Sequence, residues 1–420
     1  MIVSRIVIEG QRRLCGELEL QGSKNGVLPI LAACVINRGV SVIENCPELS
    51  DVENTLLILQ SLGCTVSREG HRVTVDASTI NGSAVCGEMT GCMRSSIGFL
   101  GALLARTGSA EVGYPGGCAL GARPIDIHID LLRRLGARVE CGGSVKAVCT
   151  DPKGSRIRLK GLSVGATENA MLFACGCRGI TRIENAAAEP EIVELAEFLN
   201  AMGHRVKGAG GRCIEITPAS TCRGTVVHRV HPDRIAAATY ICAVMSAGGD
   251  VLLCGARGCS MANVVRTAAN MGCEFRYDRR GLRVSANGRP TSPGRIITRP
   301  HPGFPTDAQP MFTAVCSVAS GQTLIEDTVF SDRFRQCGEL IKMGADITVE
   351  SGRVRVKGVR ELQGAEVKAY DLRGGAAMAV AAVGARGRTV ISGTEYIDRG
   401  YQRIEQSLAA LGADVERTDG

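Results

Sequence analysis

A five-residue pattern that recurs six times restricts this chain to a repeated architecture. Leu62-Gly-Cys-Thr-Val66, Leu135-Gly-Ala-Arg-Val139, Met202-Gly-His-Arg-Val206, Met271-Gly-Cys-Glu-Phe275, Met343-Gly-Ala-Asp-Ile347 and Leu411-Gly-Ala-Asp-Val415 set their glycines 73, 67, 69, 72 and 68 residues apart. Such a spacing marks repeated supersecondary units, and this period exceeds that of the common solenoids, so each copy is a small folding unit. In each copy an amphipathic helix runs into the glycine, as over 52–62 and 404–411. The glycine serves as the C′ residue, where φ must be positive. A strand, a polar glycine turn and a second strand follow, as over 65–75. Next comes a helix of small residues, apolar nearly all round and therefore expected to be buried, as over 95–105 and 376–385. Gly-x-x-x-Ile then opens another strand at Gly39, Gly179, Gly321 and Gly387.

The sixth copy runs out before its last strand, and the lone strand Arg5-Ile-Val-Ile-Glu9 resembles the missing piece. The N-terminal segment is therefore expected to complete the last copy in space. Three copies then form one domain, residues 22–230. The other three form a second, residues 1–21 plus 231–420, with crossings near Gln21 and His231-Pro232.

A net charge of +7 without runs of like charge suits small anionic substrates better than nucleic acid. With 3% aromatics and no Trp, a stacking platform for single strands is not expected. The 19 cysteines are odd in number and include no Cys-x-x-Cys pair. Many, such as Cys34, Cys175, Cys242 and Cys316, lie in apolar runs and read as small hydrophobes. So many unpaired thiols imply a reducing compartment and a cytoplasmic enzyme. The N-terminal apolar run is too short for a signal peptide, and the run 235–247 is too short for a membrane span. No metal-ligand spacing occurs, so neither metal nor other cofactor is expected. The chain reads as a monomer or weak oligomer acting on small molecules.

The repeats also map the chemistry. At the starts of the buried helices stand Lys24-Asn25, Arg94, Ser163 with Thr167, Asp233-Arg234, Asp307 and Arg373. The loops leading to the amphipathic helices carry Cys118 with Arg123, Glu189 with Glu191, Arg333, and Arg399. Equivalent positions in symmetric copies share one end of their units, so two facing domains would gather these residues into one cleft. Helix N-termini with one lysine and several arginines favour phosphate and carboxylate. Asp307 reads equally well as a cap for the helix after it. His128 reads as structural. Cys118 differs from the other cysteines because it sits in Tyr114-Pro-Gly-Gly-Cys-Ala-Leu-Gly-Ala-Arg-Pro-Ile-Asp-Ile-His128, too rich in glycine for helix or central strand and close to Arg123. A nearby cation favours thiolate, and a thiol that exchanges its proton can do chemistry.

Nine motifs spread over the whole chain carry a family resemblance. They are Gly22-Ser-Lys-Asn25, Met93-Arg-Ser-Ser-Ile97, Pro115-Gly-Gly-Cys-Ala-Leu-Gly-Ala-Arg-Pro124, Ser163-Val-Gly-Ala-Thr167, Glu184-Asn-Ala-Ala-Ala-Glu-Pro-Glu-Ile-Val193, Pro232-Asp-Arg-Ile235, Phe304-Pro-Thr-Asp307, Asp371-Leu-Arg373 and Ile397-Asp-Arg-Gly-Tyr401. They resemble those of the UDP-N-acetylglucosamine 1-carboxyvinyltransferases, enolpyruvyl transferases that begin peptidoglycan precursor synthesis. The resemblance implies an α/β fold, a two-domain inside-out α/β barrel built from six βαβαββ repeats. It implies transfer of the enolpyruvyl group of phosphoenolpyruvate to the 3-hydroxyl of UDP-N-acetylglucosamine, with release of phosphate. Carried over residue by residue, it assigns phosphoenolpyruvate to Lys24, Asn25, Arg123, Arg333, Arg373 and Arg399. It assigns the sugar nucleotide to Arg94, Arg123, Pro124, Ile125, Asp126, Ile127, Ser163, Val164, Asp307 and Val329. Cys118 is the implied proton donor, Asp307 assists deprotonation of the hydroxyl, and Lys24 and Arg399 complete the catalytic set. Ala236, Gly98 and Gly161 depart from the family pattern, where an acidic residue, a larger apolar residue and a nucleotide-contacting lysine respectively are usual. Enolpyruvylshikimate-phosphate synthase is the alternative; it lacks the Pro-Gly-Gly-Cys loop. A catalytically silent paralogue would have lost Lys24, Cys118, Asp307 or Arg399, all of which are present.

Overall fold

The computed structural model describes residues 4–116, 125–220, 222, 224–256 and 258–419. The chain forms two compact units: an inserted unit from Gly22 to His231, and an enclosing unit made of the residues up to Gln21 and from Pro232 onward. Each is held together by its own hydrophobic core.

The six pattern glycines end their helices in the expected way. Gly63, Gly136, Gly203, Gly272, Gly344 and Gly412 have φ between +91° and +99°, a region L side chains avoid. Each therefore turns the chain from helix into strand. In the first copy the helix Ser50–Ser61 leads through Gly63 to the hairpin Thr65–Glu69 and Arg72–Asp76. The hairpin buries Val73 and Val75 on one face and leaves the alternate residues wetter, as a half-buried strand does.

Each unit contains three four-stranded sheets of one plan: a parallel pair extended by two antiparallel strands. In the inserted unit the strand Thr225–Arg229 closes the set by pairing parallel with Val40–Glu44. In the enclosing unit the last sheet contains the strand Ser4–Glu9, antiparallel to both Arg388–Ser392 and Asp414–Asp419. Ile6 faces Ile391, and Ser4 faces Asp419. This strand takes the place that Arg353–Lys357 holds in the preceding sheet, so the N-terminal segment does complete the sixth copy.

The small-residue helices lie inside their units, with the sheets outside. In Arg234–Ala247 every residue from Ile235 to Met245 is buried. Their glycines allow backbones to come close: a Cβ on Gly101 would sit 2.4 Å from the carbonyl oxygen of Asn169, and one on Gly384 would sit 2.4 Å from Ser246 Oγ. Each unit is thus an inside-out α/β barrel of three repeats.

The starts of these helices follow a rule. Four are capped by a side chain that accepts backbone N–H bonds: Ser23, Ser163, Asp233 and Asp371. The middle helix of each unit is entered differently, through a 3₁₀ turn, Arg94–Gly98 in one and Thr306–Ala308 in the other. Asp307 is therefore not the cap of the helix Gln309–Cys316; that helix begins after Ala308 with no side-chain cap.

Candidate active site

In the inserted unit, the Ser23 cap orients Lys24 and Asn25 at the first turn of the helix Lys24–Cys34, with Oγ accepting from Gly26 N at 3.1 Å. Lys24 Nζ meets Asp51 Oδ2 at 2.9 Å, and both side chains are largely buried. Asp51 was not singled out in the sequence, because an acid in the first turn of a helix usually only offsets the helix dipole. A second unforeseen carboxylate, Glu194, is buried against the same turn: a Cβ on Gly26 would lie 2.2 Å from its Oε2, and its Oε1 accepts from His231 N at 2.6 Å.

Residues 125–127 and 163–164 come together in this unit. Gly161, just before Ser163, lies against Ile127, whose Cδ1 would be 3.3 Å from a Cβ at that glycine. Asp126 is exposed, Ile125 is buried, and Ser163 and Val164 are half-buried at the start of Val164–Ala174. His128 is buried beneath them. Its Nδ1 accepts from Asn169 Nδ2 at 2.9 Å, the same amide donates to Ile97 O, and Asn169 Oδ1 accepts from Gly101 N. Acceptance at Nδ1 leaves the proton on Nε2. Burial, with Arg94 nearby and Asp126 opposing, pushes the His128 pKa down to about 4, so the ring is neutral. Its role is structural, holding in place the Asn169 amide that ties the Arg94–Gly98 turn to the Val164–Ala174 helix. Cys118, Arg123 and Pro124 lie outside the described residues.

The enclosing unit brings Asp307, Arg333 and Arg373 into direct contact. Arg333 Nη1 donates to Asp307 Oδ1 at 2.7 Å and to Thr306 Oγ1 at 3.2 Å. Arg373 donates to Asp307 Oδ2 from Nη2 at 3.3 Å and from Nε at 3.4 Å. Arg373 is fully buried, with its guanidinium 5.2 Å from the centre of the Tyr401 ring. Burial works against its charge, but Tyr401, Asp307 and Asp233 outweigh burial and hold its pKa above the usual arginine value. Tyr401 is fixed in turn by a 2.8 Å hydrogen bond to Thr239 Oγ1.

Two further residues stabilise this group. Asp327 accepts from Thr298 and Thr306 hydroxyls and from Val329 N and Phe330 N, at 2.6–2.9 Å, and so sets the turn that exposes Val329. Arg417 grips Asp398 through two bonds of 2.7 and 2.9 Å and Glu405 through a third of 3.0 Å, which fixes the turn carrying Arg399. Neither was visible in sequence, since their partners are set by strand pairing and loop return.

The chemistry available is clear from the donors. Both Asp307 oxygens accept from a guanidinium, so an anion that takes those guanidiniums leaves the carboxylate open to a new hydrogen-bond donor. Among the described residues, both arginines also carry buried nitrogens without a hydrogen-bond partner, Arg333 Nε and Arg373 Nη1. Buried charged donors left open in this way suit an incoming anion rich in acceptors.

Comparison with known proteins places these features in context. The family model described as EPSP synthase (3-phosphoshikimate 1-carboxyvinyltransferase) matches residues 8–408. A UDP-N-acetylglucosamine 1-carboxyvinyltransferase 2 of Caldanaerobacter subterraneus is 43% identical over 416 residues, covering 99% of this chain and all of that protein. A UDP-N-acetylglucosamine 1-carboxyvinyltransferase of Trichlorobacter lovleyi is 42% identical over 99% of both chains. Among solved structures, the enolpyruvyl transferase NikO from Streptomyces tendae superposes over the full length of both chains with a TM-score of 0.88 at 23% identity. An EPSP synthase from Acinetobacter baumannii does so with a TM-score of 0.78 at 19% identity, covering 99% of this chain. These two likenesses concern the fold.

Proposed function

This chain belongs to the UDP-N-acetylglucosamine 1-carboxyvinyltransferase family, and from that premise we propose how its residues carry the reaction. The enzyme transfers the enolpyruvyl group of phosphoenolpyruvate to the 3-hydroxyl of UDP-N-acetylglucosamine and releases phosphate, a step of peptidoglycan precursor synthesis.

The carbon that receives the sugar oxygen is not electrophilic until the methylene end of phosphoenolpyruvate is protonated. The reaction therefore needs an acid at that carbon and a base at the hydroxyl. Cys118 is the acid in this reading, and Asp307 the base. Lys24, Asn25, Arg123, Arg333, Arg373 and Arg399 hold the phosphate and carboxylate on either side of the developing cation, so that both reactants meet in a fixed geometry. Arg94, Arg123 to Ile127, Ser163, Val164, Asp307 and Val329 hold the sugar nucleotide. Loss of phosphate from the tetrahedral adduct, together with a proton from the methyl group formed in the first step, then gives the enolpyruvyl ether.

The observation that carries the reading is the Arg333–Asp307–Arg373 cluster. An anion that takes the two guanidiniums frees Asp307 for the hydroxyl proton, which ties base activation to the arrival of phosphoenolpyruvate. Phosphate release from phosphoenolpyruvate, assayed with UDP-N-acetylglucosamine and with shikimate 3-phosphate, tests it. Release with the first acceptor alone is expected. Release with the second alone assigns the chain to the shikimate reaction, and release with neither makes it a silent binding protein.

A further inference from the structure

Gln336 is the first residue of the helix Gln336–Lys342, three positions after Arg333. It is buried, at 3% exposure, yet among the described residues neither its Nε2 nor its Oε1 has a hydrogen-bond partner. A carboxamide offers two donors and an acceptor with two lone pairs, and folded proteins satisfy nearly all such buried atoms. Leaving both ends empty costs stability that a leucine at the same place would not cost.

The surroundings say what is missing. The Gln336 β-carbon would lie 3.6 Å from a Cβ placed on Gly374, so the residue packs against the first turn of the Arg373 helix. It is thus three residues along the chain from one arginine of the Asp307 cluster and adjacent in space to the turn bearing the other. Those two arginines contribute the unpartnered Arg333 Nε and Arg373 Nη1. The open groups on the guanidiniums are all donors, so they suit an acceptor with several lone pairs, of carboxylate or phosphate type.

We infer that Gln336 is a further ligand of the anionic substrate, donating Nε2–H to phosphoenolpyruvate beside Arg333 and Arg373. This rests on the function proposed above. The amide adds directional donation without another positive charge, and its oxygen remains available to a guanidinium N–H once the anion has drawn the arginines from Asp307.

The test compares full-length wild type with Gln336→Leu and Gln336→Glu in steady-state kinetics and thermal melting. Gln336→Leu removes both unsatisfied atoms at similar volume. It should melt above wild type without ligand, gain less from added phosphoenolpyruvate, and show KM for phosphoenolpyruvate raised on the order of tenfold. KM for UDP-N-acetylglucosamine should stay at the wild-type value. Gln336→Glu keeps the shape but opposes the anion, so its KM for phosphoenolpyruvate should rise further. It also serves as the deciding variant if the leucine protein does not fold. A purely structural glutamine would lower the melting temperature and leave both KM values unchanged, and that result overturns the inference. Wild-type protein that neither releases phosphate nor is stabilised by phosphoenolpyruvate overturns the proposed function itself, and the inference with it.

Discussion

Individual thiols and carboxyls in this protein are separated by their surroundings more than by their chemistry. Burial pushes Cys34 and Cys316 up to about 12, so they stay protonated and inert at neutral pH. Cys15, Cys86, Cys92 and Cys141 are exposed. Iodoacetamide should therefore label these four. An epoxide phosphonate such as fosfomycin depends on anion-holding residues beside its target and should label Cys118 alone; peptide mass spectrometry showing several cysteines equally modified would rule this out. Cys118→Ser should lower turnover about 10²- to 10⁴-fold, the usual contribution of a general acid. Two groups, the buried His204 and the half-buried Glu168, set opposite pH trends. Burial holds His204 at about 4 in the folded state, below its ordinary 6.5. The unfolded chain then binds the extra proton, and stability falls as pH drops from about 6.5 to about 4. Burial, with Glu191 and Glu189 nearby, raises Glu168 from 4.5 to about 8. Here the folded state keeps the proton, so stability falls as pH rises across that window. Thermal melts from pH 4 to 8 should show Glu168→Gln gaining on wild type as pH rises, and His204→Asn gaining as pH falls below about 6.5. A constant offset for either variant contradicts its assignment.

At the scale of helices and strands, the glycines can be divided by what a side chain would meet. Gly272 and Gly344 have positive φ but open space around the Cβ position. Alanine there meets backbone strain alone and should cost about 1–2 kcal/mol in denaturant unfolding. At Gly101, in the helix Phe99–Thr107, a Cβ would lie 2.4 Å from the Asn169 carbonyl oxygen. Gly101→Ala must push two core helices apart, at about 1–3 kcal/mol or more, and should loosen the His128–Asn169 contact. An equal cost at all three sites would mean that helix approach in the core is not limiting. These elements also show what a sequence discloses. Helix ends were legible because a positive φ selects glycine locally, and the strand Arg5–Glu9 was legible because its place in the repeat was empty. The pairs Lys24–Asp51 and Asp307–Arg373 were not, because each joins residues from different elements of the repeat, brought together only by packing. Asp307 misled as a cap candidate for a local reason: its helix is entered through a 3₁₀ turn, which satisfies the first N–H groups without a side chain. The Cys118 loop stood out by composition alone.

Over the whole molecule, the two units differ in how the chain builds them. Among the described residues, the inserted unit is one stretch between Gly22 and His231, with its own core. Expressed alone, residues 22–231 should melt cooperatively, followed by circular dichroism. Deleting residues 1–9 from the full chain removes an inner strand from the sheet that also holds Arg388–Ser392 and Asp414–Asp419. That deletion should abolish the enclosing unit's transition and spare that of the inserted unit; loss of both would show that neither folds alone. The same strand has a consequence during synthesis. Ser4 is synthesised long before its strand partner Asp419. At about 5–20 residues per second, translation leaves the Ser4–Glu9 strand waiting roughly 20–80 s for its second neighbour, by which time the inserted unit has long been synthesised. Until then Ile6, Val7 and Ile8, all buried in the finished protein, belong to an unfinished sheet edge. The nascent chain is thus open to mispairing at this early strand, where quality control of a stalled or truncated product would have most to act on.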